Sequence, residues 1–143
     1  MGMKKNVGFT CGAFDLCHAG HMLVFKEAKE HCQWLIVGLH SDPTLDRSNK
    51  NKPIMSMRER RIILEGIKYI DEIVEYDTEA ALLQLLKKLK PDVRFLGDDW
   101  KNKPYTGHEL NIPIVWNNRD HGFSTSELRE RIYQAQKAKR KEP

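Results

Sequence analysis

The stretch CGAFDLCHAGH, residues 11–21, crowds two cysteines, an aspartate and two histidines around two glycines. Two kinds of chemistry suit those residue types. Cys11, Cys17, His18 and His21 are donors that zinc accepts, but their spacing is not that of a finger or a ribbon. A phosphate cradle uses more of the stretch. Gly12 and Gly20 let the backbone approach a bulky anion, and a helix opening near Ala19 would aim free amides and its positive dipole end at that anion. His18 and His21, three residues apart, fall on one face of such a helix start. There imidazoles donate to phosphate oxygens and, when protonated, offset charge that grows in a transition state.

These residues need elements to hold them, and the hydrophobic pattern supplies them by switching between short apolar runs and helical periods. It predicts strands at 6–10, 34–39, 72–76, 93–96 and 112–116, and helices at 22–32, 58–69, 78–90 and 125 to about 138. Ser56 with Glu59, and Ser124 with Glu127, read as capping boxes, and Pro91 closes the third helix. On the second helix the apolar positions are Ile62, Ile63 and Ile67. Alternation of this kind predicts an α/β fold: a single domain over residues 1–143, with a Rossmann-like, doubly wound, parallel five-stranded sheet. Ligands bind such sheets at the carboxyl ends of the strands, and the unusual residues fall there. HSDPTLDRSNKNK follows the second strand, GDDWKNK the fourth and NNRDHGFSTS the fifth. The loop over 40–55 is long, lysine-bearing and poor in apolar residues, a candidate mobile lid.

Composition sets the outer limits. In 143 residues, 40% hydrophobic and 31% charged, no apolar run approaches the roughly 20 residues that cross a bilayer. The net charge of +4 admits an anionic ligand without demanding nucleic acid. Part of the excess lies in a basic carboxyl-terminal tail, residues 137–143, which reads as a solvated helix end. Three cysteines behind an amino terminus with no apolar leader predict reduced thiols and a cytoplasmic protein without a membrane partner.

The segment His18-Ala19-Gly20-His21 resembles the HxGH signature of the nucleotidyltransferase superfamily, and GAFDLCHAGH is similar to its cytidylyltransferase variant. Further matches follow in order. RERRIILEGIKYIDE at 58–72 resembles the family's arginine-started helix and its acidic strand. Gly97-Asp98-Asp99-Trp100 is similar to the GDDW of bacterial glycerol-3-phosphate cytidylyltransferases, and residues 119–125 resemble the RTEGISTT element. There Asp120 and His121 replace the threonine and glutamate, while Arg119, Gly122, Ser124 and Thr125 are kept. The capsule-locus CTP:phosphoglutamine cytidylyltransferases are a second resemblance.

The resemblance implies transfer of CMP from CTP to the phosphate of a small metabolite, glycerol 3-phosphate or phosphoglutamine, with release of pyrophosphate. The CDP-linked product would serve cell-surface polysaccharide or capsule synthesis. It implies magnesium bound through the CTP phosphates, no metal held by the protein alone, and a homodimer. His18 and His21 would contact the phosphates, with Lys50, Lys52 and Arg119 as further cations at the reacting groups. Thr10, Gly12, Phe14 and Gly20 would shape the cradle, and Gly97 and Gly122 the loops facing it. Arg60 would reach a phosphate, and Ser124 and Thr125 would receive the β- and γ-phosphates. One of Asp98 and Asp99 would bind ribose, cytosine or an acceptor amine and the other would order the loop. Trp100 and Trp116 stack on a base or pack in the core, and Asp15 and Asp42 orient a histidine or the acceptor. Three readings compete: an ATP-dependent adenylyltransferase, a catalytically inactive nucleotide-binding module, and a zinc or nucleic-acid module resting on the cysteines and the tail.

Overall fold

A computed structural model describes residues 6–141. Strands β1 (Val7–Gly12), β2 (Trp34–His40), β3 (Glu72–Tyr76), β4 (Val93–Gly97) and β5 (Ile114–Asn117) alternate with helices α1 (Ala19–His31), α2 (Met57–Glu65), α3 (Glu79–Leu89) and α4 (Thr125–Lys141). The strands form one parallel sheet in the order β3-β2-β1-β4-β5. Chain order reverses between β1 and β4, which opens a crevice above their carboxyl ends. The expected fold class is the one observed.

Alternation along β2 shows how the sheet is covered. Leu35, Val37 and Leu39 face a layer containing Phe25 and Ala28 of α1 and Leu64 of α2. Ile36 faces the opposite layer with Phe9, Tyr76, and Leu82 and Leu86 of α3. An unbroken apolar run is what a strand buried on both faces requires. Leu82 and Leu86, four residues apart and 3% and 1% exposed, form the seam that seats α3. Among the described residues no helix is long and apolar enough to cross a membrane.

Two elements depart from the periodicity. Helix α2 stops at Glu65, where the Gly66 amide turns back onto Ile63 and Leu64 carbonyls, instead of running to residue 69. Its inward face is also different: Ile62 and Ile63 are 55% and 39% exposed, while Arg60 and Leu64 are buried. The cause is Arg60, which is drawn inside by backbone carbonyls as described below. Helix α4 extends to Lys141, and from Glu130 onward all its residues are exposed. The basic cluster therefore lies on a solvated helix end, with residues 142–143 of the expected tail outside the described residues. The loop expected to act as a lid is fastened at several points. Asp42 caps the turn Pro43–Leu45, Asp46 accepts from the Glu79 amide at 2.7 Å, and Asp15 accepts from the Ile54 and Met55 amides at 3.0 and 2.8 Å.

Candidate active site

The start of α1 is capped by its own histidines. His18 is the N-cap, and its Nδ1 accepts from the Gly20 amide at 3.0 Å. His21 Nδ1 accepts in turn from the His18 amide at 3.0 Å, giving a capping box built from two imidazoles. An Nδ1 that accepts a backbone proton carries none, so in each neutral ring the proton sits on Nε2. His18 Nε2 donates to Thr125 Oγ1 at 3.1 Å, joining the beginnings of α1 and α4. His21 keeps its Nε2 proton for the pocket it lines. The two rings lie 4.0 Å apart, and Phe14 packs edge-on to His21 at 5.2 Å.

Burial, first of all, lowers the pKa of both rings. His21 falls to about 3, with smaller contributions from His18 and Arg119. His18 is also lowered, with His121 and Arg119 as the secondary causes. Both are therefore neutral at pH 7 in the free protein, and the expected contribution from protonated imidazoles is absent from this state. Gly20 is required by contact: a Cβ there would stand 2.9 Å from His18 Cε1 and 3.1 Å from His121 Cε1. Gly122 is required by conformation, with φ at 75° in the turn before α4.

A cavity of about 410 Å³ opens beside these groups at the sheet's switch point. Among the expected residues, Gly12, Phe14, Asp15, His21, Lys50, Trp100, Arg119 and Thr125 line it. His18 borders it through Thr125 and lines a neighbouring cavity with His121, Gly122 and Ser124. Ser124 Oγ accepts from the Glu127 amide at 3.1 Å, so its hydroxyl caps α4, and Ser126 is the serine on the main cavity. Arg119 approaches Asp99 at 3.8 Å with both side chains more than half exposed, so the pair is easily exchanged for a ligand. Gly97 is buried at the end of β4, Asp98 and Asp99 form an exposed turn with Trp100, and the Arg47 guanidinium lies 5.1 Å over the Trp100 ring.

Three expected residues serve the scaffold instead of lining this cavity, and a fourth is turned to solvent. Thr10 Oγ1 donates to the Phe95 carbonyl at 3.3 Å, tying β1 to β4. Asp42 accepts from the Thr44 amide and hydroxyl at 2.9 and 2.6 Å, and those bonds are the main reason its pKa is lowered. Lys52 is exposed and off the cavity wall. Arg60, 2% exposed, donates to the carbonyls of Met55 (3.1 Å), Ala13 (3.0 Å), His40 (2.7 Å) and Ser41 (2.8 Å). Buried and with four of its five N–H donors committed, Arg60 braces the loops that follow β1 and β2, which corrects the expected phosphate contact.

Tyr76, Glu79, Arg94, Tyr105 and Thr106, which the sequence did not mark as site residues, line the far end of the cavity together with Cys11. A buried arginine inside the strand VRFLG was the available signal. The zinc reading loses its geometry. Cys17 packs on the α1 face of the sheet, Cys11 on the α3 face, and both histidine Nδ1 atoms are engaged by amides. Among the described residues no three His, Cys, Asp or Glu side chains are grouped to hold a metal. Burial also raises the thiol pKa values, that of Cys17 to about 11, so these cysteines are not thiolates at neutral pH.

A Rossmann-like sheet with two helix starts and paired imidazoles at its switch point defines the class as a nucleotide-handling α/β enzyme. The cytidylyltransferase-like family model matches residues 9–131, and the chain belongs to that family, as a nucleotidyltransferase. It is 35% identical over 135 residues to the bifunctional protein HldE of Campylobacter curvus, covering 94% of this chain and 29% of that protein. The corresponding protein of Helicobacter pylori is 35% identical over 130 residues, covering 90% and 28%. The chain thus spans less than a third of the length of these curated relatives. A crystal structure described as a lipopolysaccharide core biosynthesis protein from Thermoplasma volcanium superposes with a TM-score of 0.67 at 25% identity, covering 80% of this chain and 98% of that one. Pantothenate synthetase from Thermus thermophilus shares the fold, with a TM-score of 0.56 at 12% identity.

Proposed function

We propose that the chain transfers CMP from CTP to the phosphate of a small metabolite, forming a CDP-linked product and pyrophosphate. The observation that carries this reading is the joint between His18 and Thr125, which brings the amino-terminal ends of α1 and α4 to one place. Two helix starts offer unpaired amides and partial positive charge to a polyphosphate. A phosphate oxygen of the acceptor attacks the α-phosphorus, and the bond to the β-phosphate oxygen breaks as pyrophosphate leaves. No protein nucleophile is needed, so the site works by alignment and by stabilising charge.

His21 donates its Nε2 proton to an α-phosphate oxygen, and Arg119, Thr125 and Ser126 hold the departing phosphates. Lys50 reaches the reacting groups from the loop above. Phosphate charge beside the imidazoles raises their pKa values from the depressed free-state level, so nucleotide binding and proton uptake are coupled. Magnesium carried on the nucleotide phosphates would neutralise further charge. Asp98 and Asp99, solvent-exposed in one turn with the cavity-lining Trp100, suit a water-mediated second contact.

The lipopolysaccharide core biosynthesis protein of similar structure supports placing the product in cell-surface glycan assembly; a capsule product and a cytoplasmic homodimer are part of the same proposal and rest on the family resemblance alone. ATP is the second nucleotide to consider, because the helix starts engage triphosphate whichever base is attached. Pyrophosphate release is the test, with CTP or ATP, magnesium and a panel including glycerol 3-phosphate and phosphoglutamine. CTP is expected to support turnover at least tenfold better than ATP. Equal or better turnover with ATP would overturn the base assignment, and bound CTP without turnover on any acceptor would favour the inactive module.

A further inference from the structure

The cavity has a far end that the phosphate chemistry leaves unused. It lies on the α3 face of the sheet, opposite the layer that contains Phe14 and Phe25, and Arg94 of β4 is its base. Arg94 is 2% exposed. Its Nη1 donates to the Thr106 carbonyl at 2.6 Å, its guanidinium carbon lies 5.4 Å from the centre of the Tyr105 ring, and the Cys11 sulfur is beside it. Among the described residues it forms no ion pair. Glu79, the acid at this end of the cavity, lies 3.6 Å from Arg47 instead and accepts from the Thr106 hydroxyl at 2.8 Å.

A guanidinium this deep is costly unless an anion meets it. The Thr106 carbonyl takes one of its five N–H donors and the Cys11 sulfur faces a second, which leaves three in one plane, a fork for the oxygens of a single group. The histidines and helix starts already account for a triphosphate. A cation at the other end of the same cavity is therefore left for the second substrate.

We propose that Arg94 anchors a second oxyanion on the acceptor, carried in addition to the phosphate that attacks. The acceptor class is then a phosphorylated metabolite with a further anionic group, a carboxylate or a second phosphate. Tyr76, Tyr105 and Thr106 wall the group in, and the cation selects against acceptors that end in a hydroxyl or an amine. Identifying this ligand as an acceptor rests on the transferase reading; the presence of an anion site at Arg94 does not.

Matched pairs test it: 3-phosphoglycerate against glycerol 3-phosphate, phosphoserine against phosphoethanolamine, and fructose 1,6-bisphosphate against fructose 6-phosphate. Titration calorimetry on the full chain gives the dissociation constants, with pyrophosphate release followed in parallel. The wild type is expected to bind the more anionic member of at least one pair about ten- to a hundredfold more tightly, the range of charge-assisted hydrogen bonds. The first two pairs read a carboxylate and the third a phosphate. Arg94→Met should erase the preference while leaving the weaker member's affinity within twofold. Should that variant fail to fold, Arg94→Lys decides, because it keeps the charge without the fork and should retain a reduced preference.

The proposal is overturned if the wild type binds the members of every pair equally, or binds none. It is overturned equally if Arg94→Met keeps the preference, or if that variant weakens both members alike, which would make Arg94 a loop support or a contact of the attacking phosphate. A preference lost in Arg94→Met with no pyrophosphate released on any acceptor upholds the anion site and refutes the transferase reading.

Discussion

Protonating His21 should loosen the fold, and the size of the effect follows from its surroundings. Its pKa falls from 6.5 to about 3, first because the ring is buried. The unfolded chain therefore takes up a proton that the folded chain refuses. Stability is highest above pH 6.5 and declines as pH falls toward 3. The shift of 6.5 minus 3 sets a ceiling of about 5 kcal/mol at about 1.36 kcal/mol per unit. Between pH 8 and pH 5 the share already lost is about 2 kcal/mol, a sizeable part of the roughly 5–15 kcal/mol that holds an ordinary domain.

Urea unfolding of the nucleotide-free protein at the two pH values measures it, with His21→Asn as reference. Asparagine Oδ1 can still accept from the His18 amide, as Nδ1 does at 3.0 Å, but it does not titrate. The wild type should lose about 2 kcal/mol more than His21→Asn on going from pH 8 to pH 5. Equal losses in both proteins would refute the argument that burial keeps this ring neutral. The same variant lacks the Nε2 proton, so its turnover should fall by about 10²–10³, as for loss of a transition-state donor.

Other perturbations follow from single contacts. Thr125→Val removes the hydroxyl that His18 Nε2 reaches at 3.1 Å, and should cost about 1 kcal/mol in urea unfolding together with a larger loss of nucleotide affinity by calorimetry. Arg60→Met leaves the carbonyls of Ala13, His40, Ser41 and Met55 without their donor, and thermal or urea unfolding should register about 3–5 kcal/mol. Gly20→Ala puts a methyl 2.9 Å from His18 Cε1; the ring must swing away, so turnover should drop at least tenfold while circular dichroism at 25 °C stays native. A Gly20→Ala enzyme of wild-type activity would remove His18 from the working geometry.

Much of the fold was legible because its signals are local. The run WLIVGL can only be a strand covered on both faces, and Ser56 with Glu59 does form the reciprocal cap at the start of α2. The phosphate end of the site was legible for the same reason, since HAGH is contiguous and its helix start follows from it. What escaped depends on distant partners. Ile62 and Ile63 look like a core stripe until Arg60 is seen to occupy the inward position, held by carbonyls from three separate segments. Thr10 looks like a cradle residue, yet its hydroxyl is engaged by β4. Arg94 and Tyr76 share no local pattern, and only the strand order brings them to one cavity wall.

The brace at Arg60 has a consequence for how such a site can change. It holds main-chain oxygens of Ala13, His40, Ser41 and Met55, and main-chain oxygens are the same whichever side chain is attached. Substitutions along the intervening loop can thus alter what the cavity recognises without altering where the loop is anchored. Substrate preference and framework integrity become separable traits. A library randomised at Arg47, Lys50 and Asn51, which line the cavity and lie outside the brace, should yield mostly folded proteins that differ in the ligand they accept.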